Sequence, residues 1–368
     1  MYDFILFEHT GLKNHCKDLC IIGDLLRQNN YTVAIANVTI EYECCKDCNI
    51  PLINIKTNRD KYKSIDGFYS QVVKELSKYA KNIYVGTLMT NHTMFWLINA
   101  PRNINIYMWG LRSYYLREFR MWPLHKSVIQ SLWIWIYAKY NCRLKLFVSD
   151  DIIKKEFLSL GWTDDRLVIR PERMIKKLPQ DVAGCTNPKK FLIIGSLRPG
   201  KRIDLWIEAF AKRGGSDLML FIAGKAYSIN GYDISLSKSC EKHPSIIRID
   251  KRLDDDEYFD LIKECDYLIL CDEKQSSSIT NGTMNEALLS GRPIIAPNYN
   301  PYRSIVDAYN VGLLYDINNQ QSLIDTLEIA KNNPIANYNE NLLKYQKTLL
   351  YDKVVSEFGK ELKKTLQA

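Results

Sequence analysis

The sequence predicts an α/β protein built as two Rossmann-like domains, and three observations carry that expectation. Short apolar runs alternate with longer stretches of helical periodicity, the rhythm of a parallel sheet with helices on its faces. The rhythm breaks once, at residues 171–190 (PERMIKKLPQDVAGCTNPKK), where proline and charge replace periodicity, and then restarts. The chain has 368 residues, 46% hydrophobic and 25% charged, which is enough for two cores and too apolar for disorder.

The elements follow in order. Phe4–Phe7 reads as a strand. Lys13–Gln28 reads as a helix because Cys16, Leu19, Cys20, Ile22, Leu25 and Leu26 recur near helical spacing. Asn29-Asn30 turns the chain into a strand at Tyr31–Asn37. Helices are expected at Asp66–Tyr79, Thr93–Asn99 and Ile152–Leu160, and strands at Asn82–Val85, Ile104–Met108, Leu146–Val148 and Leu167–Ile169. After the interruption come strands at Phe191–Ile194, Leu218–Ala223, Ile246–Ile249, Tyr267–Leu270, Pro293–Ala296 and Gly312–Tyr315. Helices are expected at Asp204–Arg213, Asp254–Glu264 and Gln320–Ala330, and from Tyr338 to the end. The resulting domains are 1–170, a linker at 171–190, 191–340, and a terminal helix at 341–368 that packs back toward the first domain. No internal repeat is visible.

Net charge is +8 with a pI near 8.8, so anionic partners fit. The N-terminus lacks the basic and apolar regions of a secretory signal, and no run approaches the length of a membrane span, so a cytoplasmic location is expected. Between Arg112 and Lys145 seven basic residues face one acid, Glu118, with Trp122, Trp133, Trp135 and four tyrosines interleaved. That composition suits an anionic membrane surface, a core helix with a basic face, or stacking on RNA. The first is the expectation taken forward, at the inner face of a membrane, with no nucleic-acid partner. The ten cysteines form no regular framework. Cys44, Cys45 and Cys48 cluster, with His15, Cys16 and Cys20 as conceivable partners, but no second pair lies at zinc-site spacing, so no metal is expected.

Ile269–Ala296 (ILCDEKQSSSITNGTMNEALLSGRPIIA) concentrates the chemistry. It passes from a strand through small polar residues, Ser276–Thr283, into a short helix that carries Glu286. Ser278, Thr280, Asn281, Gly282, Thr283 and Met284 would offer free N–H groups at a helix N-terminus, a place for phosphate. Glu286, about one turn into that helix, suits the two hydroxyls of a ribose. A second loop, Gly195-Ser-Leu-Arg-Pro-Gly-Lys201-Arg202, fits GxxxxGK after a strand, and Tyr267–Asp272 looks like a Walker B strand. Arg202 stands where Ser or Thr should hold magnesium. Gly195, Arg198 and Lys201 serve instead as a metal-free clamp for a diphosphate.

Three segments, FLIIGSLRPGKRIDLWIEAFAK, LMLFIAGKA and NEALLSGRPIIA, together resemble the C-terminal half of GT-B glycosyltransferases, in particular the retaining group called family 4 or group 1. The resemblance covers about residues 190–330. It implies two facing Rossmann-like domains with a C-terminal crossover helix, a phosphate-contacting lysine at Lys201 and a ribose-binding glutamate at Glu286. The pattern is broken in three places. Ser278 stands where that family has an earlier glutamate, Ser196 where it has an arginine, and Trp109-Gly110 where such enzymes often have histidine-glycine. Candidates for a catalytic base are then His92 and Asp151, with His9 after the first strand.

The expected activity is transfer of a sugar from a UDP- or GDP-sugar to a glycan or polyprenyl-linked acceptor, in polysaccharide or lipopolysaccharide assembly, with no cofactor. Two alternatives stand beside it: a noncatalytic module that binds nucleotide sugars, and a P-loop NTPase.

Overall fold

The computed structural model describes residues 1–8, 13–37, 48–55, 65–86, 100–109, 141–159, 161–171, 173–179, 187–273 and 282–367. The expectations at His9, His92, Thr93–Asn99, Cys44, Cys45, Gly110 and Ser276–Asn281, and most of the basic aromatic segment, lie outside these residues. The chain forms two compact units, Met1–Glu172 with Asp352–Ala368, and Arg173–Tyr351.

The first unit is built on a seven-stranded parallel sheet. Its strands are β1 (Tyr2–Phe7), β2 (Val33–Asn37), β3 (Leu52–Asn54), β4 (Ala80–Val85), β5 (Asn105–Trp109), β6 (Leu144–Val148) and β7 (Leu167–Ile169), in the order 3-2-1-4-5-6-7. Helices α1 (Lys13–Gln28), α2 (Ile65–Leu76) and α3 (Asp151–Ser159) belong to it. Strands buried on both faces explain the near-continuous apolar runs. A cluster of rings, Phe4 on Tyr107, Tyr107 on Phe147 and Phe147 on Phe358, fills the core. The Tyr107 hydroxyl, fully buried, is hydrogen-bonded to Thr365 at 3.0 Å, so the end of the chain closes this core.

The second unit has a six-stranded parallel sheet in the order 10-9-8-11-12-13. Its strands are β8 (Lys189–Ile194), β9 (Leu218–Ala223), β10 (Ile246–Ile249), β11 (Tyr267–Ile269), β12 (Ile294–Pro297) and β13 (Gly312–Tyr315). Helices α4 (Ile203–Arg213), α5 (Tyr232–Glu241), α6 (Asp255–Glu264), α7 (Gly282–Leu289), α8 (Tyr302–Tyr309), α9 (Gln320–Asn332) and α10 (Asn339–Thr348) connect and flank them. Helix α6 starts where the acidic run begins because Asp254 and Glu257 form a reciprocal capping box.

Each sheet reverses its strand order once, between β1 and β4 and between β8 and β11, and open parallel sheets bind ligands beyond the strand ends at such points. The expected single helix from Tyr338 is instead α10 followed by α11 (Tyr351–Gln367). The interruption has a cause. Ile175 pairs with Leu350, donating to the Leu349 carbonyl and accepting from Tyr351 N–H, so the backbone between the helices is committed elsewhere.

Candidate active site

The site lies at the strand-order reversal of the second sheet and is held by backbone zippering between loops. Gly195 follows β8 with φ +106°, a conformation glycine adopts without strain, and its N–H donates to the Ala223 carbonyl. On one side Leu197 pairs with Ala226, and Tyr227 N–H donates to the Leu197 carbonyl. Gly224 packs so closely on Gly195 that a Cβ there would strike the Gly195 carbonyl. On the other side Lys201 pairs antiparallel with Asp272, while Arg202 N–H donates to Cys271 and Glu273 N–H to Gly200. The loop 195–202 is therefore fixed along both edges by main-chain bonds.

This fixing brings together residues far apart in sequence. A Cβ on Gly195 would lie 3.9 Å from Lys201 Nζ and 3.8 Å from Thr283 Oγ1, so the missing side chain leaves both groups facing the same open ground. Thr283 and Glu286 lie on α7. The Tyr258 hydroxyl, from α6, donates to Glu286 Oε2 at 2.7 Å and lies 3.4 Å from Thr283 Oγ1. Arg173 Nη2 donates to Glu286 Oε1 at 3.0 Å. Burial first, then the Glu286 charge, holds the Tyr258 phenol well above its usual pKa, so it stays a donor. A cavity of about 580 Å³ opens beside these groups, lined in part by Gly195, Gly224, Lys225, Arg252 and Tyr258. That volume is of the size small-ligand sites occupy.

Of the residues expected to form the pocket, Gly195, Lys201, Thr283 and Glu286 converge. Gly282 and Met284 are in the first turn of α7, Met284 with its side chain fully buried. Ser278, Thr280 and Asn281 lie outside the described residues. Arg198 takes a different course: its Nη2 lies 3.7 Å from Asp272 Oδ1, and the Tyr302 hydroxyl lies 3.4 Å from Asp272 Oδ2. The aspartate that resembles a Walker B acid thus sits between an arginine and a tyrosine. Arg202, at the position that should carry a magnesium-binding hydroxyl, is paired with Asp204 at 3.0 Å.

In the first unit Asp151 is an exposed residue opening α3. Its neighbour Asp150 accepts the Ile153 N–H and caps the helix. Trp109, at the end of β5, is buried under the Arg170 guanidinium, 4.6 Å from the ring centroid. Arg170 also donates to Asp18 at 2.6 Å. Glu8, after β1, was not singled out from sequence. It is 1% exposed, with its carboxylate lying over Gly86 at that sheet's reversal point. Gly86→Ala should cost about 1 kcal/mol, because the Glu8 carboxylate must swing away from the new methyl; thermal unfolding measures it.

Two members of the basic segment are described, and the fold occupies both. Arg143 donates to the Ala100 and Pro101 carbonyls, and Lys145 is 2% exposed, burial pushing its pKa down. In the cysteine cluster the Cys48 thiol neighbours Cys20, and burial pushes it up to about 11. Among the described residues no group of three or more His, Cys, Asp or Glu is placed to hold a metal ion, and no helix is long and apolar enough to cross a membrane.

The fold is that of GT-B proteins. HepE of Anabaena, solved in complex with UDP, matches with a TM-score of 0.70 at 13% identity, over 99% of both chains. A glycosyltransferase from Rickettsia africae ESF-5 matches with 0.66 at 14%, over 100% of this chain and 97% of its own. Sucrose-phosphate synthase of Thermosynechococcus elongatus matches with 0.70 at 11%, over 99% of each. Comparison with curated protein sequences finds no match. Residues 175–348, nearly the whole second unit, match the family described as glycosyl transferases group 1. The protein is a glycosyltransferase, and its second unit is a group 1 domain.

Proposed function

We propose that the second unit binds a nucleoside-diphosphate sugar, UDP- or GDP-linked, and that the enzyme transfers its sugar to a glycan or polyprenyl-linked acceptor. The observation that carries this reading is the convergence of Lys201, Thr283, Tyr258 and Glu286 around Gly195 beside an open cavity. Glu286 takes the ribose diol as its acceptor. Lys201, with the N–H groups at the start of α7, stabilises the charge that grows on the leaving diphosphate. The HepE structure holds UDP, and the lipopolysaccharide galactosyltransferase WaaB has the same fold, with a TM-score of 0.66 at 14% identity. The first supports a UDP-linked donor, and the second a role in polysaccharide or lipopolysaccharide assembly. The polyprenyl-linked acceptor, and contact with an anionic membrane, rest on the basic aromatic composition of residues 112–145.

The acceptor side is proposed for the first unit, as for the sequence-based domain 1–170. His92 and Asp151 are the proposed bases there.

A panel of UDP-, GDP- and ADP-sugars in a thermal-unfolding assay tests the donor site. A ligand at 100 times its Kd should add about 2.7 kcal/mol. Glu286→Ala and Lys201→Ala should each reduce the shift. If both variants keep the full shift, the pocket lies elsewhere.

A further inference from the structure

Side chains engage both oxygens of Glu286, and the two partners differ in kind. Tyr258 reaches Oε2 from the buried side, as a neutral donor fixed on α6. Arg173 reaches Oε1 from the solvent side: its side chain is 44% exposed, against 14% for that of Glu286. This is the one ion pair Arg173 makes among the described residues. A diol that comes from solvent meets the carboxylate on the face Arg173 covers. An exposed ion pair is the weaker of the two attachments, because water and salt compete for it.

We propose that Arg173 is a resident competitor for the ribose on Glu286 and is displaced when the donor binds, while Tyr258 stays in place as the positioning residue that keeps the carboxylate aimed. The inference rests on Glu286 being the ribose acceptor. It goes further in assigning two residues that set how strongly ribose is preferred. The ion pair keeps a lone carboxylate from facing the diphosphate site uncompensated, and its release exposes the diol acceptor only when a diol replaces it.

The test is the ratio of two dissociation constants by isothermal titration calorimetry. The better binder of UDP and GDP is compared with its 2′-deoxy counterpart. A ratio of deoxy to ribo cancels any effect of the Arg173 charge on the phosphates. Arg173→Gln should raise the ratio about two- to five-fold, the range an exposed ion pair allows. Tyr258→Phe, which keeps the ring, should lower it. In the Arg173→Gln, Glu286→Gln double variant the effect of the arginine change should vanish, because it acts through the carboxylate. A ratio unchanged or lowered in Arg173→Gln overturns the competitor role, and one unchanged in Tyr258→Phe overturns the positioning role. If Glu286→Gln alone leaves the wild-type ratio intact, the ribose assignment itself fails, whatever the other variants do.

Discussion

Lys201→Ala is expected to lower kcat about 10²–10³-fold with little change in stability, the loss typical when one preorganised donor to a developing anion is removed. The two effects separate because the loop is held by its main chain. Lys201 N–H donates to Arg198, the residue pairs with Asp272, and Arg202 and Glu273 add further backbone bonds. The side chain adds a 3.5 Å contact from Nζ to the Ile194 carbonyl. Truncation therefore removes the cation and leaves its frame. Release of nucleoside diphosphate at saturating donor, with a parallel unfolding curve, measures both. A variant that turns over within about threefold of wild type would show that Lys201 does not face the leaving group.

Lys189→Met is expected to destabilise the second unit by about 2–3 kcal/mol while sparing the site. Lys189 is 7% exposed, and its ammonium donates to three carbonyls at the end of α9: Ala330 at 2.7 Å, Lys331 at 2.8 Å and Asn333 at 3.0 Å. The Ala330 carbonyl also accepts the Asn333 N–H, at 3.3 Å, and a cation at this end meets the negative pole of the helix dipole. Tyr267 adds a second donor to the Asn333 carbonyl, which leaves the Lys331 carbonyl as the one that depends most on the ammonium. Methionine keeps the length and loses all three bonds, which leaves the Lys331 carbonyl without that donor and the other two with one donor each. Urea unfolding, read on the second unit's transition, measures it. A loss under about 1 kcal/mol would mean that water replaces the ammonium.

Lys189 also shows where sequence reading stops. It falls inside the stretch taken as a linker, because a lysine beside proline and more lysine looks solvated. Only its tertiary partners, more than a hundred positions away, make it a buried cap. The strands were legible wherever β-branched or other apolar residues run together, even in short edge strands. Leu218–Ala223, Ile246–Ile249 and Gly312–Tyr315 fall where their apolar runs do. The elements that escaped notice lack such a signal. β3 is three residues long and mostly exposed, at the sheet edge. α5 has a weakly apolar face and begins after Gly231 in a left-handed conformation.

The site divides in the same way. Gly195, Lys201, Thr283 and Glu286 stood out because small residues and charges cluster in two loops after strands. Tyr258 and Arg173 did not, because they reach Glu286 from 28 and 113 positions away. On its own helix Tyr258 shares the stripe of Ile262, which reads as core. Arg173 lay in the presumed linker.

The chain passes between its two units twice, at residues 172–173 and again at 351–352. The last seventeen positions supply Phe358 and Thr365 to a core whose strands are made first. During synthesis, then, the unit encoded in the middle of the message can finish before the one encoded at its start. The earlier half waits, with an apolar flank open, until residues 352–367 emerge. Nascent chains halted near residue 351 should accordingly bind holdase chaperones through their oldest segment rather than their newest.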